Sequence, residues 1–261
     1  LQIFLSLLFL YLLLGIDNKN RLYIFFLSIV SGLLLLTRGE FILIFFIIIS
    51  FSVIIKKIKL IDLVKILLIV SIVISPYVVR NYIHFNQVFL VKSLGYNLWK
   101  GNNEKMSIEG NEDYNFPLLK AKLDKIKKDK FYEINRDKIF LNEAKNNLSK
   151  EPKIFFTLFL KKIFSFYFID LNSSYPYYYN YLNIIPTIII AILSFFGLFN
   201  FVRNKNIMYN YFSIYLFSNL LIFSIFFILP RYKLIILPVQ IIIAVHFSVY
   251  LLNKIIKKNR S

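Results

Sequence analysis

The sequence predicts an all-α protein that crosses a membrane several times. Three observations carry this prediction: 58% of the 261 residues are hydrophobic, apolar runs of about 20 residues recur along the chain, and short charged loops separate them. Cysteine is absent, which excludes a disulfide framework and thiolate metal sites. With 32 Lys and Arg residues against 14 Asp and Glu residues, the net charge is +18, so the position of the basic residues matters next.

Seven spans account for the apolar runs. Four of them, residues 60–79, 184–202, 209–229 and 234–252, are each about 20 residues long, which suits a hydrocarbon core of roughly 30 Å. Residues 22–55 are too many for one span. The interruption Thr-Arg-Gly-Glu at residues 37–40 therefore predicts a hairpin of two short spans, 22–36 and 41–55.

The opening run, residues 1–14, would cover only about 21 Å as a helix. It begins with Leu and has neither the basic n-region nor the small-residue cleavage site of a signal peptide, which is the alternative interpretation. We therefore expect that the first span is truncated and that the chain is the C-terminal part of a longer protein.

Basic residues predict the orientation of these spans. On one side the short loops carry three Lys or Arg residues, and on the other they carry eleven, so the positive-inside rule places the second side in the cytoplasm. A cell-membrane protein is expected, with spans in residues 1–79, an extracytoplasmic segment at 80–181, and three spans with a basic cytoplasmic tail in 182–261. The three basic residues of the outer loops are Arg38, Arg231 and Lys233. The eleven basic residues of the cytoplasmic side are Lys19, Arg21, Lys56, Lys57, Lys59, Arg203, Lys205, Lys254, Lys257, Lys258 and Arg260.

The segment at 80–181 divides by composition. Residues 80–117 are rich in Asn and Gly, which predicts loop with little regular structure. Over residues 118–149, the four-residue spacing of Phe140, Ala144 and Leu148 predicts an amphipathic helix.

A second helix is predicted at residues 153–168, with Pro152 in its first turn. Lys161 and Lys162 lie at its middle, where a spanning helix would place them at costly mid-bilayer depth. We therefore predict an interfacial helix whose lysines reach to the lipid headgroups. The Tyr-rich tract at residues 175–181 then fits either an aromatic belt at the interface or a carbohydrate-stacking platform.

Motifs of hydrolases, metalloenzymes and nucleotide-binding proteins are absent. His84 and His246 are far apart in the sequence, and His246 is predicted to pack against a neighbouring helix. Residues 120–130 are basic, but interleaved Asp124 and Asp129 favour a solvated helix face over a binding patch. No basic face is separable from the topogenic loops, so a nucleic-acid partner is not expected.

Three arginines lie at the predicted outer ends of spans: Arg38, Arg80 and Arg231. Interface anchoring, or a local pair of Arg38 with Glu40, would explain each alone. A charge near the membrane is costly unless it is paired or faces water, and arginine presents a planar fork to phosphate. Together the three indicate a site for an anionic lipid headgroup.

Four short segments resemble one family. Residues 75–82, Ser-Pro-Tyr-Val-Val-Arg-Asn-Tyr, resemble the Pro-Trp-x-x-Arg-Asn-Tyr segment of bacterial membrane glycosyltransferases of the GT-C class, relatives of the protein O-mannosyltransferases and the lipid A aminoarabinose transferase. Residues 95–103, Gly-Tyr-Asn-Leu-Trp-Lys-Gly-Asn-Asn, resemble their Gly-x-Asn-Leu-Trp-x-Gly-Asn-Asn. Residues 36–40 resemble their Leu-Thr-Arg-Pro-Glu turn with Gly in place of Pro, and residues 231–238 resemble their Arg-Tyr-x-Leu-x-x-x-Pro.

The resemblance implies transfer of a sugar from a polyprenyl-phosphate donor to an extracytoplasmic glycan, lipid or protein acceptor. It implies Arg80, Arg231 and Arg38 as partners of the lipid phosphate. Its other implied contacts, in the sugar or acceptor pocket, are Asn81, Trp99, Asn102, Asn103 and Tyr232. For Trp99, an aromatic of the interface or of the loop core is the alternative interpretation. In that family the catalytic carboxylate lies in a first extracytoplasmic loop, which this sequence lacks, and Glu40 matches the turn motif instead. A divalent metal, used by some relatives, is the one cofactor left open.

Two other functions fit the composition. One is a non-catalytic membrane protein, such as a lipid-carrier flippase or a subunit of an envelope-polysaccharide complex. The other is a polymerase or ligase of lipid-linked oligosaccharides. An acidic pair just after a first transmembrane helix upstream would favour the glycosyltransferase.

Overall fold

The computed structural model describes residues 1–16, 21–105, 107–113, 116–203 and 206–258. In these ranges the chain forms helices and no β-strand. The helices are α1 (Gln2–Gly15), α2 (Arg21–Thr37), α3 (Phe41–Ile54), α4 (Leu60–Phe85), α5 (Leu94–Gly101), α6 (Pro117–Asp124), α7 (Tyr132–Lys150), α8 (Pro152–Tyr167), α9 (Tyr181–Arg203), α10 (Ile207–Ile225), a 3-10 helix (Pro230–Ile235) and α11 (Leu237–Lys258).

Within the described ranges, four helices are long and apolar enough to cross a bilayer, namely α4, α9, α10 and α11. These four helices indicate a membrane protein. The described ranges contain helices and no strand, which confirms the all-helical prediction. Helices α1, α2 and α3 have 14, 17 and 14 residues, and at 1.5 Å per residue they extend only about 21–26 Å. The predicted number of seven spans is therefore not confirmed, although the predicted turn between α2 and α3 is present.

Helix α10 lies at the centre of the apolar helices. In its most apolar window 67% of the residues are buried, against 11% for α4 and 22% for both α9 and α11. It packs against α3, α8 and α9, while α9 also packs against α11, and α2 packs against α1 and α4. As predicted, His246 on α11 bonds through Nδ1 to the Tyr209 hydroxyl on α10.

The prediction of loop over residues 80–117 is wrong in two places. Helix α4 continues to Phe85 and includes Arg80 and Asn81, and α5 follows at Leu94–Gly101. Helix α5 is short and contains two glycines, so its own sequence gives little helical propensity. It packs closely on α7, where a Cβ at Gly95 would lie 2.1 Å from the Asp137 carbonyl oxygen, and the Tyr96 N–H donates to Asp137 Oδ1 at 2.8 Å.

Two helices, α6 and α7, replace the single helix predicted over residues 118–149. Between them, the Asp129 carboxylate accepts a hydrogen bond from the Phe131 N–H at 2.8 Å, a local turn contact that competes with helix continuation. The predicted apolar face is buried at Phe140 and Ala144 and partly buried at Leu148. Residues 120–130 are largely exposed, in agreement with a solvated face.

Helix α8 begins with Pro152 in its first turn, as predicted. Its two central lysines differ sharply: Lys161 is exposed, whereas Lys162 is 0% exposed. The prediction that both reach towards headgroups is therefore wrong for Lys162, since this side chain points inward to the Gly101 carbonyl of α5 and the Phe226 carbonyl just after α10.

Candidate functional site

Arg38 lies in the turn after α2, with its guanidinium over two aromatic rings. The carbon Cζ is 4.3 Å from the ring centre of Tyr232 and 5.0 Å from that of Phe223. These are cation–π contacts, which hold the charge in place without using its N–H groups. Among the described residues no ion pair joins Arg38 to Glu40, so the local-pair interpretation does not hold.

Arg231 approaches Tyr232 as well. It is exposed on the 3-10 helix, and its Cζ is 5.8 Å from the centre of the Tyr232 ring. Two predicted phosphate partners, Arg38 and Arg231, therefore meet at one predicted pocket residue. We call Arg38, Arg231, Tyr232 and Lys233 the Tyr232 cluster.

Lys233 is the member of this cluster whose role the sequence did not suggest, although its charge and motif were noted. Its ammonium donates to the Phe168 carbonyl just after α8. Burial lowers the pKa of Lys233 to about 8. The hydrogen bond ties the 3-10 helix to the end of α8, and it could be found only from the fold because the two residues are 65 positions apart.

A cavity of about 520 Å³ opens beside the Tyr232 cluster. We call it the aromatic groove. Its walls come from the Tyr-rich tract, the first turns of α9, the 3-10 helix and Leu237 at the start of α11, and Arg231 and Lys233 supply its cations. Tyr175, Tyr177 and Tyr178 line it, so the Tyr-rich tract is part of a concave site. Apolar walls with a few cations suit an amphipathic molecule that carries an anionic group.

Arg80 lies apart from this cluster in its contacts. Its side chain is exposed on α4, and Nη1 is 3.4 Å from Asn81 Oδ1. Asn81 is buried and donates through Nδ2 to the Phe89 carbonyl at 3.0 Å, which fixes the loop after α4. Among the described residues, Arg80 makes no hydrogen bond or ring contact with the Tyr232 cluster.

Trp99, Asn102 and Asn103 are buried in the polar segment between α4 and α9. Trp99 is 1% exposed and packs with Leu119, Phe140 and Ala144 in a small core. Asn103 Nδ2 donates to the Asn111 carbonyl at 3.0 Å, and Asn102 Nδ2 donates to the Ile225 carbonyl at 2.7 Å. These contacts give all three residues structural roles, and their part in a sugar or acceptor pocket stays a prediction.

The Lys162 junction joins the polar segment to α10. The ammonium donates to the Gly101 carbonyl at 2.7 Å, to Asn102 Oδ1 at 3.1 Å and to the Phe226 carbonyl. Gly101 ends α5 and Phe226 follows α10, so the charge lies where both helix dipoles are negative. Burial lowers the pKa of Lys162 to about 7. The three acceptors act in the opposite direction, because only the ammonium form has three N–H groups.

In the part of the chain that the structure describes, no three His, Asp or Glu side chains form a group that would hold a metal ion.

Comparison of the chain with protein-family models, curated proteins and solved structures found no match in any of the three. The glycosyltransferase resemblance therefore rests on the four segments of the sequence alone.

Proposed function

We propose that this chain belongs to a membrane glycosyltransferase and that the aromatic groove holds the phosphate and first isoprene units of a polyprenyl-phosphate sugar donor. One observation carries the proposal: apolar walls and the cations Arg231 and Lys233 line the same open groove.

The cations of the Tyr232 cluster suit the departure of a lipid phosphate. In the transfer, a hydroxyl oxygen of the acceptor forms a bond to the anomeric carbon while the bond from that carbon to the phosphate oxygen breaks. The electron pair leaves with the phosphate, and preorganised cations stabilise the charge that develops there. Arg231 offers a bidentate fork to phosphate, and the ring of Tyr232 holds Arg38 close by. The hydroxyl proton passes to a general base, which the resemblance implies is a carboxylate of the family's first extracytoplasmic loop, and no residue of this chain is assigned to that role.

Phosphate binding is the first property to test. The chain, purified in detergent, is titrated with undecaprenyl phosphate and with undecaprenol, and bound lipid is counted by native mass spectrometry. We expect the phosphate to bind more tightly than the alcohol. Arg231→Ala should weaken phosphate binding roughly tenfold or more, because a charge-assisted hydrogen bond contributes about 1.5–3 kcal/mol.

Lys128→Ala is the matched control, since Lys128 is an exposed cation that does not line the groove. Equal weakening by Lys128→Ala and Arg231→Ala would show unspecific attraction to a basic protein. Equal affinity for the phosphate and the alcohol would overturn the proposal.

A further inference from the structure

A second cavity, of about 340 Å³, lies between α8 and the segments that contain Glu109 and Asp170. We call it the polar cavity. Its walls differ from those of the aromatic groove, because hydroxyl, amide and charged side chains replace most of the apolar ones. The polar lining residues are Ser107, Glu109, Thr157, Lys161, Asp170 and Asn172.

Glu109 is a fixed hydrogen-bond acceptor in this cavity. The side chain is 8% exposed. Its carboxylate accepts from the Ser173 hydroxyl, from the Ser174 hydroxyl at 2.6 Å and from the Ser174 N–H at 3.1 Å. These three donors fix the orientation of the carboxylate.

Asp170, the second carboxylate, is in a different environment. It is 4% exposed, and Oδ1 accepts from the Asn172 N–H at 2.9 Å. Burial raises the pKa of Asp170, and the nearby charge of Glu109 raises it further. Both carboxyl groups line the same cavity, and each accepts hydrogen bonds from residues 172–174.

The polar cavity and the aromatic groove share a wall. Ile169 and Tyr178 line the groove, whereas Asp170 and Asn172 line the cavity. The Asp170 N–H donates to the Tyr178 hydroxyl at 2.9 Å, which fixes this wall from within. A molecule in the cavity therefore lies one layer of chain away from a molecule in the groove.

We propose that the polar cavity binds a hydroxylated, monosaccharide-sized group, and that this group belongs to the acceptor. The assignment of this group to the acceptor rests on the function proposed above. A volume near the lower end of the usual range of ligand sites, about 300–1,000 Å³, excludes a large ligand. Lys161 is a donor at the rim, Glu109 is an acceptor, and the hydroxyl of Thr157 lies on the α8 side. Such mixed donors and acceptors match a ring of hydroxyl groups better than a purely anionic or apolar ligand.

The test uses free hexoses as probes. Saturation-transfer NMR is recorded on the unsubstituted chain in nanodiscs with glucose, galactose or mannose at millimolar concentration. We expect saturation transfer to at least one hexose. Thr157→Trp should remove it, because the new ring fills the cavity from an exposed position and leaves both buried carboxylates in place. Lys128→Trp is the matched control and should retain the signal.

Glu109→Gln is the second variant, and it removes an acceptor charge at nearly constant volume. It should lower the hexose signal at least severalfold while thermal unfolding confirms a folded protein. Absence of a signal from all three hexoses, or a signal unchanged in Thr157→Trp, overturns the proposal.

The two proposals fail separately. Undecaprenyl phosphate binding and hexose binding are both measured on the unsubstituted chain. Hexose binding without preference for the lipid phosphate overturns the proposed function and leaves the polar cavity a sugar site. Preference for the lipid phosphate without hexose binding overturns only the proposal for the polar cavity.

Discussion

Two cationic regions adjoin the C-terminal end of α10, and they differ in what surrounds the charge. At the Lys162 junction, the ammonium has three protein acceptors. In the Tyr232 cluster, Arg38 and Arg231 lie near aromatic rings. Among the described residues, neither donates a side-chain hydrogen bond to a protein acceptor. A cation whose N–H groups are all used braces the fold, whereas a positioned cation with unused N–H groups is available to a ligand. The predictions below test this contrast.

The largest effect is expected for Lys162→Met. Removal of the ammonium leaves three buried acceptors without a donor, and we expect a loss of about 2–4 kcal/mol in the free energy of unfolding. The neighbouring Lys161→Met is the matched control, and since Lys161 is exposed it should change stability by less than about 0.5 kcal/mol. Thermal unfolding in detergent measures both. Equal unfolding temperatures for the two variants would remove the distinction between the regions.

The pH dependence of stability sharpens the same contrast. The folded pKa of Lys162, about 7, is below the value of roughly 10.4 for a free lysine. Between these two pH values the unfolded chain binds a proton that the folded chain does not, so stability rises with pH in this window. The rise attributable to Lys162 is at most about 1 kcal/mol from pH 7 to pH 8.

The measurement compares unfolding temperatures of the unsubstituted chain and Lys162→Met across that pH range. Their difference should grow as the pH increases. A constant difference would show that the three acceptors keep Lys162 charged throughout.

A smaller loss of stability than that of Lys162→Met is expected in the Tyr232 cluster. Arg38→Ala removes two cation–π contacts at a partly exposed site, and each contributes about 0.5–1 kcal/mol at most. Binding of undecaprenyl phosphate, in contrast, should weaken severalfold, and Arg38→Lys should restore part of it because lysine keeps the charge but not the fork. A stability loss as large as that of Lys162→Met would assign Arg38 to the fold and not to the ligand.

The apolar runs predicted the long helices because about 20 apolar residues in sequence carry that information locally. The turn between α2 and α3 and the Pro152 helix start were equally local. Helix α5 was missed, since contact with α7, 41 positions away at Tyr96 and Asp137, stabilises it. Lys162 was misplaced for the same reason, because its partners lie at least 60 positions distant.

The residues of the candidate site also differ in whether short motifs or only the fold reveals them. Arg38, Arg231 and Tyr232 were named from short motifs, and the fold brings these three together. Arg80 lies in another of these motifs, yet its side chain contacts its own neighbour Asn81. Glu109 and Asp170 carry no motif and are 61 positions apart, so only the folded chain shows them in one cavity.

Movement of the wall between the two cavities would link their occupants thermodynamically. Residues 169–178 contribute side chains to both spaces, so a displacement that widens one changes the shape of the other. If a ligand in the groove shifts this segment, the affinity of the cavity changes, and linkage requires the reverse effect to have the same magnitude. A rigid wall would make the two sites independent. The flexibility of residues 169–178 therefore determines whether the two ligands bind in a fixed order.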